Sequence, residues 1–329
     1  MRPKDRVKNT VSGNAVDRTP VVPILGAYSS KLTGISVREG LEDANKQYEA
    51  QKRAIETFGY DGSFTWMDLT AEAEALGLKR SRPENDLPAI LEHPLKTKED
   101  LNKLNIPRIE DTRLQVFVET CEKLSDNLGK NHFISSYVVG PYTLVGLLMD
   151  VEKLLMSCLK DQNFVHESLE FVVSYLKEYI DRLSGTGVDA ITVLEPTASG
   201  SLISPKIFRE FVSAPLRDTN RYISQKNMNP ILHVCGNTNP ILKDMAETET
   251  MALSIGSKVD LNNAKGLIPI IGNIDPSTTM IEKKPEEVKY LSRKCVEDMK
   301  GEEFILSTGC DIALGTPEEN IKALVNAVR

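Results

Sequence analysis

Eight short apolar runs, separated by longer stretches of helical period, constrain this chain more than any other feature. The runs occupy residues 21–25, 62–66, 133–139, 190–194, 231–235, 251–255, 268–271 and 304–308. They are nearly continuous in apolar content and mostly closed by Gly or Pro, the pattern of strands buried on both faces of a parallel sheet. Helical periodicity covers 41–58, 113–128, 205–226, 238–247, 279–299 and 317–328, and two helices are expected within 144–184. Ser204-Pro205 and Thr316-Pro317 each set a capping hydroxyl before a proline at the first helical position. The polar stretch 257–266 is a weak helix. Eight βα units predict an α/β fold, a single-domain (β/α)8 TIM barrel over 1–329, with a Pro-rich and charged excursion at about 78–112 after the second strand. A doubly wound sheet is the alternative.

Composition narrows the partners. The chain has 329 residues, of which 40% are apolar and 26% charged, enough for a large core. Its 47 acidic against 40 basic residues leave a net charge of −7, which argues against nucleic-acid or anionic-membrane partners, since these need a basic face. No apolar run approaches the ~18 residues of a membrane span. The charged start, Met1-Arg2-Pro3-Lys4-Asp5-Arg6, lacks the apolar stretch of a signal peptide, so a cytoplasmic protein is expected. In a reducing cytosol the five cysteines are buried hydrophobes, metal ligands or reactive thiols, not a disulfide scaffold.

In a barrel of this kind chemistry gathers at the C-terminal ends of the strands. There the chain places His233-Val234-Cys235 and Gly309-Cys310-Asp311. Side chains two residues apart on a strand share a face, so His233 and Cys235 can converge on one ion, with Cys310 as a third soft donor. Zinc takes thiolate and imidazole, and a catalytic site keeps three protein ligands and an open position. The spacing equally fits a satisfied core histidine beside two buried thiols. The fifth and eighth strands are not neighbours, so a shared ion would lie over the mouth, with a ligand carried inward by its loop. Glu195, ending the fourth strand, is a candidate displaceable ligand or proton acceptor, or else a cap on the following turn. Tyr28, Tyr137 and Tyr142 stand near the mouth as pocket lining or wall packing. Asn237 and Asn239 follow the fifth strand as loop hydrogen-bonders, and Tyr28, Tyr142 and Asn237 are the candidate substrate contacts. Glu72 and Glu74, two apart, do not share a helix face. The other histidines and cysteines read as structural.

The segment Leu232-His233-Val234-Cys235-Gly236-Asn237-Thr238-Asn239-Pro240-Ile241-Leu242 resembles the zinc motif of the methylcobamide:coenzyme M methyltransferases, a branch of the uroporphyrinogen decarboxylase superfamily. The resemblance extends to Glu72-Ala73-Glu74-Ala75-Leu76-Gly77, Pro196-Thr197-Ala198-Ser199, Ile203-Ser204-Pro205, Gly272-Asn273-Ile274 and Gly309-Cys310-Asp311-Ile312-Ala313. It implies a (β/α)8 barrel holding one Zn2+ through His233, Cys235 and Cys310. It also implies methyl transfer between the cobalt of a corrinoid (cobalamin) and a small substrate. Asp68 aligns with an aspartate that the decarboxylases place at the end of the second strand, as a group orienting substrate or metal ligands. No Asp-x-His-x-x-Gly motif occurs, so the corrinoid would be carried by a separate small protein. A thiol such as coenzyme M is the expected methyl acceptor. The alternative direction passes methyl from a methoxylated or methylated compound to cobalt(I). Uroporphyrinogen decarboxylation would need arginines over the mouth, where this chain has Gly26-Ala27-Tyr28-Ser29-Ser30. A non-catalytic zinc-stabilised barrel would need a fourth, closing ligand.

Overall fold

Parallel pairing runs through seven of the eight apolar runs in the computed structural model, which describes residues 1–329. The strands are β1 Gly62–Phe64, β2 Phe133–Val139, β3 Ala190–Leu194, β4 Asn229–Val234, β5 Ala252–Ile255, β6 Ile270–Ile274 and β7 Phe304–Thr308. Each pairs with the next in chain order to form one parallel sheet with helices between the strands. No helix is long and apolar enough to cross a membrane.

The run at 21–25 departs from expectation and forms no strand, only a single bridge from Val21 to Leu306. Pro20 and Pro23 lack the N–H groups that a ladder needs. The segment nevertheless bonds to both edges of the sheet. The Val22 N–H donates to the Leu306 carbonyl at 2.9 Å and the Leu306 N–H to the Pro20 carbonyl at 2.9 Å. On the other side the Asp61 N–H donates to the Val21 carbonyl at 2.9 Å, and the Val21 N–H donates to Asp61 Oδ2 at 2.8 Å. The expected eighth strand is therefore a clasp, in which a carboxylate replaces a backbone acceptor. Asp61 is fully buried and is also held by Arg6 Nη1 at 2.6 Å and Arg18 Nη1 at 2.8 Å.

The inward faces of the strands change character along their length. At the amino ends Val22, Phe133, Ala190, Ile231, Ala252, Ile271 and Ile305 form one apolar cluster. Val7 of helix α1 (Pro3–Val11) completes it from below. The charged N-terminus conceals this plug in the sequence. Two residues further along, the same faces carry Ser135, Thr192, His233, Ser254, Asn273 and Ser307, all buried. The sheet interior is thus oily at one end and polar at the other, and the polar end holds the candidate site.

Residues 144–184 lie in three helices, not two: α2 Pro141–Met149, α3 Val151–Lys160 and α4 Gln162–Ser184. Asp150 and Asp161 each accept backbone N–H groups of the helix that follows, which splits the periodic stretch. In the weak stretch 257–266 only Leu261–Ala264 is helical, capped by Asp260. The excursion carries a short antiparallel pair, Lys79–Arg80 with Ile90–Glu92.

Removing the clasp should be costly, because two guanidinium groups would lose a buried partner. Asp61→Ala is expected to lower stability by about 3–5 kcal/mol. Asp5→Ala, on the exposed pair with Arg2, should leave the urea midpoint almost unchanged. Urea denaturation of both variants checks this, and equal midpoints would refute the clasp.

Candidate metal centre

His233 lies one residue from the end of β4, its backbone paired with Leu194 on one side and Ser254 on the other. That register puts Ser254 Oγ 2.9 Å from His233 Nδ1. The ring is 2% exposed, and its Nε2 has no hydrogen-bond partner. A buried polar atom left unpaired costs about 1–3 kcal/mol, so this nitrogen calls for a ligand. Cys235 and Cys310 supply the company: one donor atom from each of His233, Cys235 and Cys310 lies within 4.8 Å of the other two. A tetrahedral ion at about 2.0–2.3 Å from its ligands holds them roughly 3.5 Å apart, so a small closure brings all three onto one centre. The group contains three such residues, not four.

β5 and β6 separate the strands that carry these residues, and glycines bridge the gap. A Cβ on Gly256, after β5, would lie 2.7 Å from the Gly236 nitrogen and 2.8 Å from its oxygen. One on Gly309, after β7, would lie 2.5 Å from the Ser257 nitrogen. The loops after β4, β5 and β7 therefore stack backbone on backbone, and Cys235 and Cys310 lean together across the intervening strands.

The two thiols behave as a pair. Pairing with the Cys310 thiol pulls Cys235 well below the usual thiol range, and the same pairing pushes Cys310 above it. Next in the chain, Asp311 accepts the Gly26 N–H at 2.9 Å, and burial pushes its carboxyl up to about 7. Tyr137, from β2, stacks on Phe64 at 5.3 Å and packs with Ile24 and Leu194 inside the sheet, its hydroxyl unpartnered. Burial, then the charges of Asp311 and Cys310, raise its pKa well above the ordinary phenol value.

The side chains of the other candidate residues have partners of their own, although the Glu195 N–H donates to the His233 carbonyl at 2.9 Å. Glu195 is fully buried and faces the start of α2: its Oε1 accepts from the Tyr142 N–H at 2.9 Å, and its Oε2 from the Thr143 N–H at 2.8 Å and hydroxyl at 2.7 Å. Burial outweighs these bonds and pushes Glu195 up to about 7. Asp68 pairs with Arg113 at 2.6 Å and accepts from the Thr70 N–H and hydroxyl. Tyr28 is fully buried with Lys31 Nζ 5.1 Å from its ring centre, and Tyr142 turns its hydroxyl to Cys158 Sγ at 3.5 Å. Asn237 shapes its own loop, its Oδ1 accepting from Asn239 Nδ2 at 2.8 Å. The residues that sequence reading missed are Ser254 and the glycines. Their signal exists only after the strands are paired, since neither lies near its contact in the chain.

These features define an α/β protein with a candidate metal centre at the carboxyl ends of its parallel strands. The family model for uroporphyrinogen decarboxylase (URO-D) matches residues 2–329, and the chain belongs to that family. Methylcobamide:CoM methyltransferase MtbA of Methanosarcina mazei is 25% identical over 334 residues, covering 99% of this chain and 97% of the relative. Methylcobamide:CoM methyltransferase MtaA of Methanosarcina barkeri is 27% identical, covering 98% and 96%. A uroporphyrinogen decarboxylase of Parasynechococcus marenigrum is 22% identical, covering 94% and 91%. A solved methyltransferase from Methanosarcina mazei superposes with a TM-score of 0.91 at 25% identity, covering 99% and 98%. The resemblance expected from the motif residues holds along the whole chain.

The packing makes two residues without ligand atoms decisive for metal affinity. Ser254→Ala should weaken zinc binding about tenfold or more by freeing the imidazole to rotate. Gly256→Ala should weaken it further by pushing the Cys235 loop away. Competition with a chromophoric chelator measures both, and wild-type affinity in a folded Gly256→Ala protein would contradict the stacking argument.

Proposed function

We propose that this protein is a zinc-dependent corrinoid methyltransferase, moving a methyl group between the cobalt of a separate small corrinoid protein and a small thiol. One observation carries the reading: three soft donors converge, one of them an orphaned buried imidazole nitrogen, and the group stops at three. Nε2 of His233 and the sulfurs of Cys235 and Cys310 would hold the ion. When bound, zinc supplies an open position at which a substrate thiol is kept as thiolate near neutral pH.

The chain's own residues do the rest. Ser254 fixes the ring of His233, and the stacked glycine loops fix the separation of the sulfurs. Two thiolates supply two negative charges, which balance a divalent ion and leave the incoming sulfur electron-rich. The likeness to relatives named methylcobamide:CoM methyltransferases supports methyl transfer over decarboxylation. So does Arg113, the arginine beside Asp68, which is engaged by Asp68 and Glu74 and offers no free fork to a substrate carboxylate.

Metal analysis together with a methyl-transfer assay tests the proposal. Wild type should hold about one equivalent of zinc and demethylate methylcobalamin with a thiol. Cys310→Ala should lose both properties. Metal-free wild type that still transfers methyl would refute the reading.

A further inference from the structure

The loop 256–260, between β5 and β6, is wedged between the two cysteine-bearing loops. On one side a Cβ on Gly256 would lie 3.3 Å from the Cys235 carbonyl carbon, besides meeting Gly236. On the other side a Cβ on Gly309 would lie 2.5 Å from the Ser257 nitrogen and 3.1 Å from the Gly256 carbonyl carbon. The backbone of residues 256 and 257 therefore touches both neighbours and acts as a spacer between them.

Asn273, next to last in β6 and 8% exposed, grips that spacer. Its Nδ2 donates to the Gly256 carbonyl at 3.2 Å and to the Val259 carbonyl at 2.9 Å. The Val259 N–H closes the same turn on the Gly256 carbonyl at 3.1 Å. One residue further along β6, the Ile274 carbonyl accepts the Gly309 N–H at 2.7 Å. Two successive residues of one strand thus hold both parts: Asn273 the spacer, by its side chain, and Ile274 the residue before Cys310, by its backbone. The remaining side-chain bonds lie further out. Ser257 Oγ donates to Asp275 Oδ2 at 2.8 Å, and Asn239 Nδ2 donates to the Lys258 carbonyl at 3.1 Å. Of these side-chain bonds only the two from Asn273 are buried. Two carbonyl acceptors call for two N–H groups on an uncharged side chain, which is what a carboxamide offers.

We infer that Asn273 is a positioning residue for the metal centre, setting the gap between Cys235 and Cys310 through the spacer 256–260. This rests on the zinc reading and deepens it. Asn273 supplies no donor atom and acts only by where it holds the backbone that the two cysteine loops press against. Without its two bonds the buried turn loses its tie to β6, and the Cys235 loop loses the wall that sets its distance from Gly309.

Asn273→Ala removes both bonds and adds no charge. Zinc affinity, measured by competition with a chromophoric chelator, should fall about tenfold or more. Cobalt(II) bound in place of zinc gives a signature that overall stability does not move. Its thiolate charge-transfer band should weaken and its visible bands fade as one sulfur withdraws and the site leaves tetrahedral geometry. Asp61→Ala, in the clasp at the opposite end of the sheet, controls for stability and should keep wild-type affinity and spectrum while folded. Asn239→Ala, on the outer side of the spacer, should move both readouts the same way by less, and it decides the matter where Asn273→Ala does not fold. Wild-type affinity and spectrum in the folded variant overturn the inference and leave the zinc reading intact, as does an equal loss in Asp61→Ala. A wild type that binds neither zinc nor cobalt(II) overturns both.

Discussion

Alternation along a strand is the constraint from which the rest of this structure follows. Because every second side chain points inward, the registers that bury Ile231, Ala252 and Ile305 at one end of the sheet also commit His233, Ser254 and Ser307 to its interior at the other. The apolar layer supplies the burial that drives folding. The polar layer above it is carried by the same strands and cannot turn outward without turning the oily layer outward as well. The imidazole of His233 is therefore held in place by residues that never touch it.

Register does not account for the third donor. Cys310 follows a strand separated by two others from that of His233, and side chains alone would not close such a gap. Backbone contact does: Gly256 and Gly309 allow three loops to approach to distances that any Cβ would forbid. The same economy appears at the opposite end, where Asp61 ties the proline-interrupted segment 20–24 to the sheet through its carboxylate. Both devices repair a break in regular pairing, one by removing a side chain and the other by recruiting one.

Much of this was legible in the sequence, for physical reasons that differ by residue. Seven runs read correctly because a strand buried on both faces must be apolar throughout. The eighth, 21–25, has the same composition but two prolines in or beside it, and composition does not weigh a missing N–H. His233 and Cys235 were visible because their relation is local, two positions on one strand. Cys310 could be named as a third donor from its place at a predicted strand end, but what carries it across two strands became visible only in the paired sheet. Helix α1 escaped notice because Arg2, Lys4, Asp5, Arg6 and Lys8 mask Val7, the one valine it buries fully. Glu195 could be read from the chain either as a catalytic group or as a cap on the following turn. An acidic residue at a strand end invites a catalytic reading, yet its three hydrogen bonds all go to the start of α2, a contact that spacing along the chain does not reveal.

The site divides into parts with different tolerance to change. The donors sit on strand ends and on loops locked by backbone contact, so displacing any of them disturbs the sheet. The excursion at 85–87 and the loop 311–315 wall a cleft that no donor residue lines, and residues such as Asp86 and Leu87 are exposed and bear no load in the core. Charge on that wall can change without moving a ligand atom.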